Sequence, residues 1–80
     1  MKETSSHFDL QEAPVGLDLT IQAITTGEPL RAQLVALGLI PGAAIRVLER
    51  EAGTLILIGA ARYALGAAIA RQIEVATKAA

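Results

Sequence analysis

Few side chains in this chain could do chemistry. His7 is the single histidine, and Asp9 and Glu12 follow it closely. A histidine with two carboxylates could in principle hold a divalent cation. A native site, however, needs its donors at a spacing that an ordered element brings to one point. His7, Asp9 and Glu12 form no known ligand pattern, and His7 sits in an arm expected to be disordered. With no cysteine, the chain has no thiolate nucleophile, no sulfur ligand and no disulfide framework. No serine or cysteine pairs with a histidine on an ordered scaffold. Phosphate-cradling and nucleophile-elbow glycine motifs are absent. Gly38, Gly42, Gly53 and Gly59 are dispersed and read as turn residues. Arg31, Arg46, Arg50, Arg62 and Arg71 are spread along the chain and accompanied by Glu49, Glu51 and Glu74, as on solvated faces. The expectation is a protein with no catalytic residues, no metal site and no cofactor.

The elements that could position anything are organised around residues 30–42 (LRAQLVALGLIPG). Leu30, Leu34 and Leu37 fall at i, i+4 and i+7, on one face of a helix. Gly38 follows where a left-handed cap is wanted, and Leu39 sits where a Schellman cap places an apolar residue against Leu34. Pro41-Gly42 suits the middle of a type II turn. Pro29 belongs to the first helical turn, with Thr26 or Glu28 as the capping residue.

Strands surround this helix. Residues 17–24 alternate, with Leu17, Leu19, Ile21 and Ala23 on one face; Ile24 breaks the pattern. In residues 43–51, Ile45 and Val47 face in, while Arg46, Leu48 and Arg50 face out. Residues 54–58 (TLILI) are apolar on both faces, as in a central strand. Residues 62–64 form a short strand, Leu65 and Ile69 bracket one helical turn, and Ile73 and Val75 close the core. Phe8, Leu10, Ala13 and Val15 could lie down on it. The predicted fold is mainly β with one helix, a small antiparallel barrel. We place a flexible arm at residues 1–9, the barrel domain at 10–76 and a tail at 77–80.

Composition sets further bounds. Eighty residues make one domain, which buries only about 60% of its unfolded surface. Phe8 and Tyr63 are the only aromatic residues, so aliphatic side chains fill the interior. An apolar content of 52% is high for so small a chain and leaves apolar groups outside, which favours a partner surface. A net charge of −1 argues against a nucleic-acid binder. No apolar run approaches the roughly 18 residues of a membrane span. The polar N-terminus lacks a signal core, so a cytoplasmic protein is expected.

The residues also carry a family pattern. Arg31, Leu34, Leu37, Gly38, Leu39, Pro41, Gly42, Ile45 and Val47 match R-x-x-L-x-x-L-G-[LM]-x-P-G-x-x-[IV]-x-V in register. Leu10, Ala13, Gly16, Ile21 and Ile24 follow the spacing upstream, and Ala64, Leu65, Ala70, Ile73 and Val75 the ending downstream. The chain resembles the FeoA family, small cytosolic proteins of bacterial ferrous iron uptake. The resemblance implies an SH3-like barrel and no catalytic residue set. It also implies one partner, the cytosolic part of a FeoB-type membrane iron transporter. The same fold occurs as the C-terminal domain of iron-dependent repressors, but this chain has no DNA-binding helix-turn-helix. Two departures stand out. Many members have a longer hairpin where this chain has Ala52-Gly53, and one or two basic residues where it has Gly66 and Ala67.

Within that resemblance, Arg31, Val35, Ile40 and Leu48 are the candidate partner-binding residues, for the transporter or for a second copy of the chain. Arg31 and Val35 lie off the buried helix stripe, Leu48 faces away from Ile45 and Val47, and Ile40 has no periodic reason to be buried. Exposed apolar groups beside an arginine have the composition of a contact centre. The alternative is an SH3-like interaction or self-associating module unconnected with iron. Two aromatics make an aromatic groove for Pro-rich ligands improbable.

Overall fold

The structure, a computed structural model, describes residues 7–51 and 53–77; the expectations for residues 1–6, 52 and 78–80 lie outside it. Six strands and two helices follow in the order β1 (His7–Asp9), β2 (Asp18–Ile24), α1 (Leu30–Ala36), β3 (Ala44–Arg50), β4 (Thr54–Ile58), β5 (Ala61–Leu65), α2 (Ala67–Ala70) and β6 (Ile73–Thr77). The strands form one antiparallel sheet in the order β1-β6-β2-β3-β4-β5. It curls around an aliphatic core but does not close, leaving β1 and β5 as edges.

The segment around Gly38 folds as its residues dictate. The Gly38 N–H donates to the Val35 carbonyl at 2.9 Å and the Leu39 N–H to the Leu34 carbonyl at 3.0 Å. These two bonds define a Schellman cap, with Gly38 at φ 98°. Leu39 is fully buried in the same cluster as Leu34. Burial of such a leucine contributes about 1.5–3 kcal/mol. Pro41 and Gly42 (φ 93°) then form a type II turn closed by the Ala43 N–H on the Ile40 carbonyl at 3.0 Å. At the other end of α1 the N-cap position falls to Pro29, which has no side-chain bond to give, and the Glu28 carboxylate just before it accepts from the Ala32 N–H at 3.2 Å.

Several expectations change. Leu37 is exposed, not inward. Its N–H is shared between the carbonyls of Gln33 and Leu34, so the last turn tightens, and Leu39 returns through the cap to the place beside Leu34. Leu17 is exposed as well, because the ladder begins only at Asp18 and Gly16 (φ 88°) turns the chain just before it. Val15 is exposed, whereas Phe8, Leu10 and Ala13 do cover the core. A bulge between Ile21 and Ala23 turns Ile24 inward and leaves Ala23 half-buried. His7–Asp9, assigned above to the arm, pairs with β6.

Arg50 is not a solvated residue. Its Nη2 donates to the carbonyls of Leu10 and Ala13 at 2.9 and 2.7 Å, and its Nε is buried without a partner among the described residues. The guanidinium thus holds the irregular segment between β1 and β2 onto the sheet. Gly53 makes a close approach of another kind: a Cβ there would lie 2.8 Å from the Leu65 carbonyl oxygen.

Three stability outcomes follow, each read by urea unfolding. Gly38→Val lowers stability by about 1–3 kcal/mol, since a β-branched side chain resists positive φ. Gly27→Ala, where an added Cβ meets nothing within 4 Å, stays within about 0.5 kcal/mol. Arg50→Met loses about 2 kcal/mol through its two charge-assisted bonds, with secondary structure retained.

Candidate functional site

The exposed large apolar side chains concentrate where α1 ends. Val35 is 48% exposed, Leu37 39% and Ile40 44%. All three lie within six residues of chain that the Schellman cap and the type II turn hold rigid. No acidic residue lies in the first turn of α1 and no basic residue in its last, so this end of the helix is apolar and uncharged. Its backbone is further anchored to β2: the Gly42 N–H donates to the Ile21 carbonyl at 2.8 Å, and the Ile21 N–H to the Ala43 carbonyl at 3.0 Å.

The predicted contact residues distribute unevenly over this geometry. Val35 and Ile40 fall together at the helix end. Arg31 stands one turn earlier, and its Nη1 donates to the Ile24 carbonyl at 2.6 Å. That bond joins α1 to the end of β2, so Arg31 has a structural duty that sequence spacing did not disclose. Leu48 sits apart. It is half-buried at a bulge in β3, where the register with β4 shifts between Val47 and Glu49. That bulge lies about 13 Å along the strand from its start. Leu37 is the residue that sequence reasoning missed. Its signal was available in the Gly38 cap, which gives the core position to Leu39 and leaves Leu37 at the rim.

A donor set for metal does not assemble among the described residues: no group of three or more His, Asp or Glu side chains could hold an ion. His7, Asp9, Glu12 and Glu74 border a shallow depression that Arg71 also lines, so a cation is already present there. An exposed ion pair, Arg46 with Asp18, crosses β3 and β2. At its exposure it contributes at most about 1 kcal/mol.

Comparison with known families gives a match to the FeoA domain over residues 8–77. The chain belongs to the FeoA family. Its fold is also that of solved relatives. A crystal structure of an iron uptake regulatory protein (FeoA) superposes with a TM-score of 0.80 at 33% identity, covering 88% of this chain and 96% of that one. The zinc complex of Stenotrophomonas maltophilia FeoA, described as a prokaryotic SH3 domain protein, gives 0.74 at 20% identity, with coverage of 82% and 86%. A manganese-dependent transcriptional repressor gives 0.81 at 25% identity; this chain matches 44% of its length and 95% of its own. Comparison with curated protein sequences gives no match. The fold is therefore SH3-like, and FeoA members and the metal-dependent repressor share it.

Among the described residues no donor set clusters, which predicts weak metal affinity. Anaerobic calorimetry with Fe²⁺ is expected to show no stoichiometric binding at micromolar protein. A one-to-one isotherm in that range would contradict this.

Proposed function

We propose that this FeoA protein is a non-enzymatic accessory factor of ferrous iron uptake, working in the cytoplasm by binding the cytosolic part of a FeoB-type transporter. Family membership over residues 8–77 supports the iron connection. One relative of the same fold is described as possibly acting as a bacterial ferrous iron transport activating factor. The observation that carries the contact mode is the exposed apolar group of Val35, Leu37 and Ile40 on a capped, rigid helix end. Ordered apolar groups lose little conformational freedom on association, so their burial goes largely into affinity. On this reading the protein acts by contact rather than by chemistry. No helix among the described residues is long and apolar enough to cross a membrane, so a transporter would supply the membrane part.

Leu48, half-buried and away from the helix end, contributes less than Val35 and Ile40. Arg31 contributes through its hold on Ile24, which fixes the pitch of α1 against the sheet.

The test is a titration of the transporter's isolated cytosolic domain with this chain and its variants. Val35→Glu and Ile40→Glu are each expected to weaken binding at least about tenfold, roughly 1.4 kcal/mol, with unchanged melting temperature. Leu48→Glu is expected to lower the melting temperature instead. Native affinity in both Val35→Glu and Ile40→Glu would remove the helix end from the interface.

A further inference from the structure

The second unfinished surface of the molecule is a sheet edge. β5 pairs with β4 through Ile58↔Ala61, Ile56↔Tyr63 and Thr54↔Leu65, with Leu57↔Arg62 and Leu55↔Ala64 between them. Gly59 (φ 61°) and Ala60 make a two-residue connection. Positive φ at the first central residue alone is the II′ turn, whose flanking residues Ile58 and Ala61 exchange both backbone bonds. Alternation then gives Tyr63 and Leu65 the same role. Arg62 and Ala64 point their N–H and C=O groups the other way. Those groups have no partner among the described residues, and β5 has no strand on its outer side. Both residues are exposed.

The side chains beside this edge are charged in a complementary way. Register aligns Glu49, Leu55 and Ala64 in one row across β3, β4 and β5. Glu49, Glu51, Leu55, Ala64 and Gly66 border an open groove next to the edge. It has carboxylates at its rim, an apolar floor and no basic residue of its own. Arg62, one register step along the same edge, has no ion pair among the described residues.

We propose that the β5 edge pairs with the β5 edge of a second copy of this chain, antiparallel about a two-fold axis at Tyr63. Of the registers open to two such edges, this one sets Arg62 of each copy opposite Ala64 of the other. Each of these pairs exchanges two backbone bonds, four in all. A register centred on Arg62 would instead set two arginines face to face, which is destabilising. Opposite a residue as small as Ala64, the arginine of the second copy can lie across the strand into the groove. It starts about 14 Å, three strand spacings, from Glu49. Two extended side chains span that distance, and Glu51 lies at the same rim. Tyr63, partly buried against the core of its own copy, sits at the axis in a non-hydrogen-bonded pair, where facing residues come closest. The occupant is a second copy because the edge and the groove together present both halves of the charge match, Arg62 and Glu49 with Glu51. An isologous interface requires this self-complementarity. Pairing also removes a five-residue exposed edge from an aliphatic protein.

Sedimentation of the full chain over a concentration series tests the pairing. The native chain is expected to be a monomer–dimer system. Arg62→Glu, which sets a carboxylate against Glu49 and Glu51, is expected to weaken the dimer at least about tenfold with unchanged melting. Arg62→Glu combined with Glu49→Lys and Glu51→Lys is expected to restore it. Ala64→Pro removes one outward N–H at an edge position that tolerates proline, and it should also dissociate the dimer. A native chain that stays monomeric up to about 1 mM overturns the proposal, as does a dimer that survives both Arg62→Glu and Ala64→Pro. A monomeric native chain whose transporter binding is lost in Ala64→Pro would assign the edge to an extended segment of that partner and would equally overturn self-pairing. None of these variants touches Val35, Leu37 or Ile40, so the helix-end reading stands or falls separately.

Discussion

A single change of backbone handedness at Gly38 governs the rest of the molecule. A residue with a Cβ resists φ 98° there, and without that angle α1 would run on past Leu37. With it, three consecutive side chains receive different fates. Leu37 is left at the rim, Leu39 is driven into the core and Ile40 is presented to solvent. The Pro41-Gly42 turn then sends the chain back along β2, locking to Ile21 by two backbone bonds before β3 begins. The register of β3 against β2 is therefore set within four residues of the cap. Each later strand pairs with an earlier one, so the register propagates through β4 to β5.

A core built without large aromatics has little area per residue to spend, and this fold compensates with local devices. Two bulges, one in β2 and one in β3, let short strands curl around Leu19, Ile21, Ile56 and Val75. Arg50 holds the Leu10 to Ala13 carbonyls where a regular strand would have used ladder bonds. Its charge is tolerated half-buried because two carbonyl dipoles face it. Such a device stabilises chiefly by avoiding unpaired backbone groups.

Much of this was legible in the sequence. Gly38, Leu39 and Pro41-Gly42 announce cap, buried return and turn by residue type alone, and they fold so. The alternation in residues 43–47 placed Ile45 and Val47 correctly. The failures have a common cause. Leu17, Leu37 and Arg50 lie where a regular element ends, and there periodicity no longer tells direction. Leu17 precedes its ladder, Leu37 sits in a tightened last turn, and Arg50 reaches sideways to a loop that no pattern reveals. The contact residues show the same limit. Val35 and Ile40 could be read as exposed from the helix stripe and the turn, but the bond from Arg31 to Ile24 joins residues seven apart across a loop. Register alone could not give it, nor could it give the half-burial of Leu48 at a bulge.

One glycine from each of the two stretches expected to depart from the family pattern lies in the same place in space. Gly53, in the shortened hairpin, and Gly66, in place of a common basic residue, both line the groove beside β5. The missing Cβ of Gly53 admits the Leu65 carbonyl, which draws the hairpin end onto the start of α2. A longer loop would stand over the groove, and a basic side chain after Leu65 would lie close to Glu49 and Glu51. Losing both together leaves a rim of carboxylates with no positive partner from the same chain. The cation with the right position is then Arg62, one register step along the edge, but within one chain it has no ion pair among the described residues. A two-fold axis through Tyr63 brings that charge to the groove from a second copy. On this account the short hairpin, Gly66 and Arg62 are parts of one arrangement, in which the carboxylates of the groove meet their cation across two chains rather than within one.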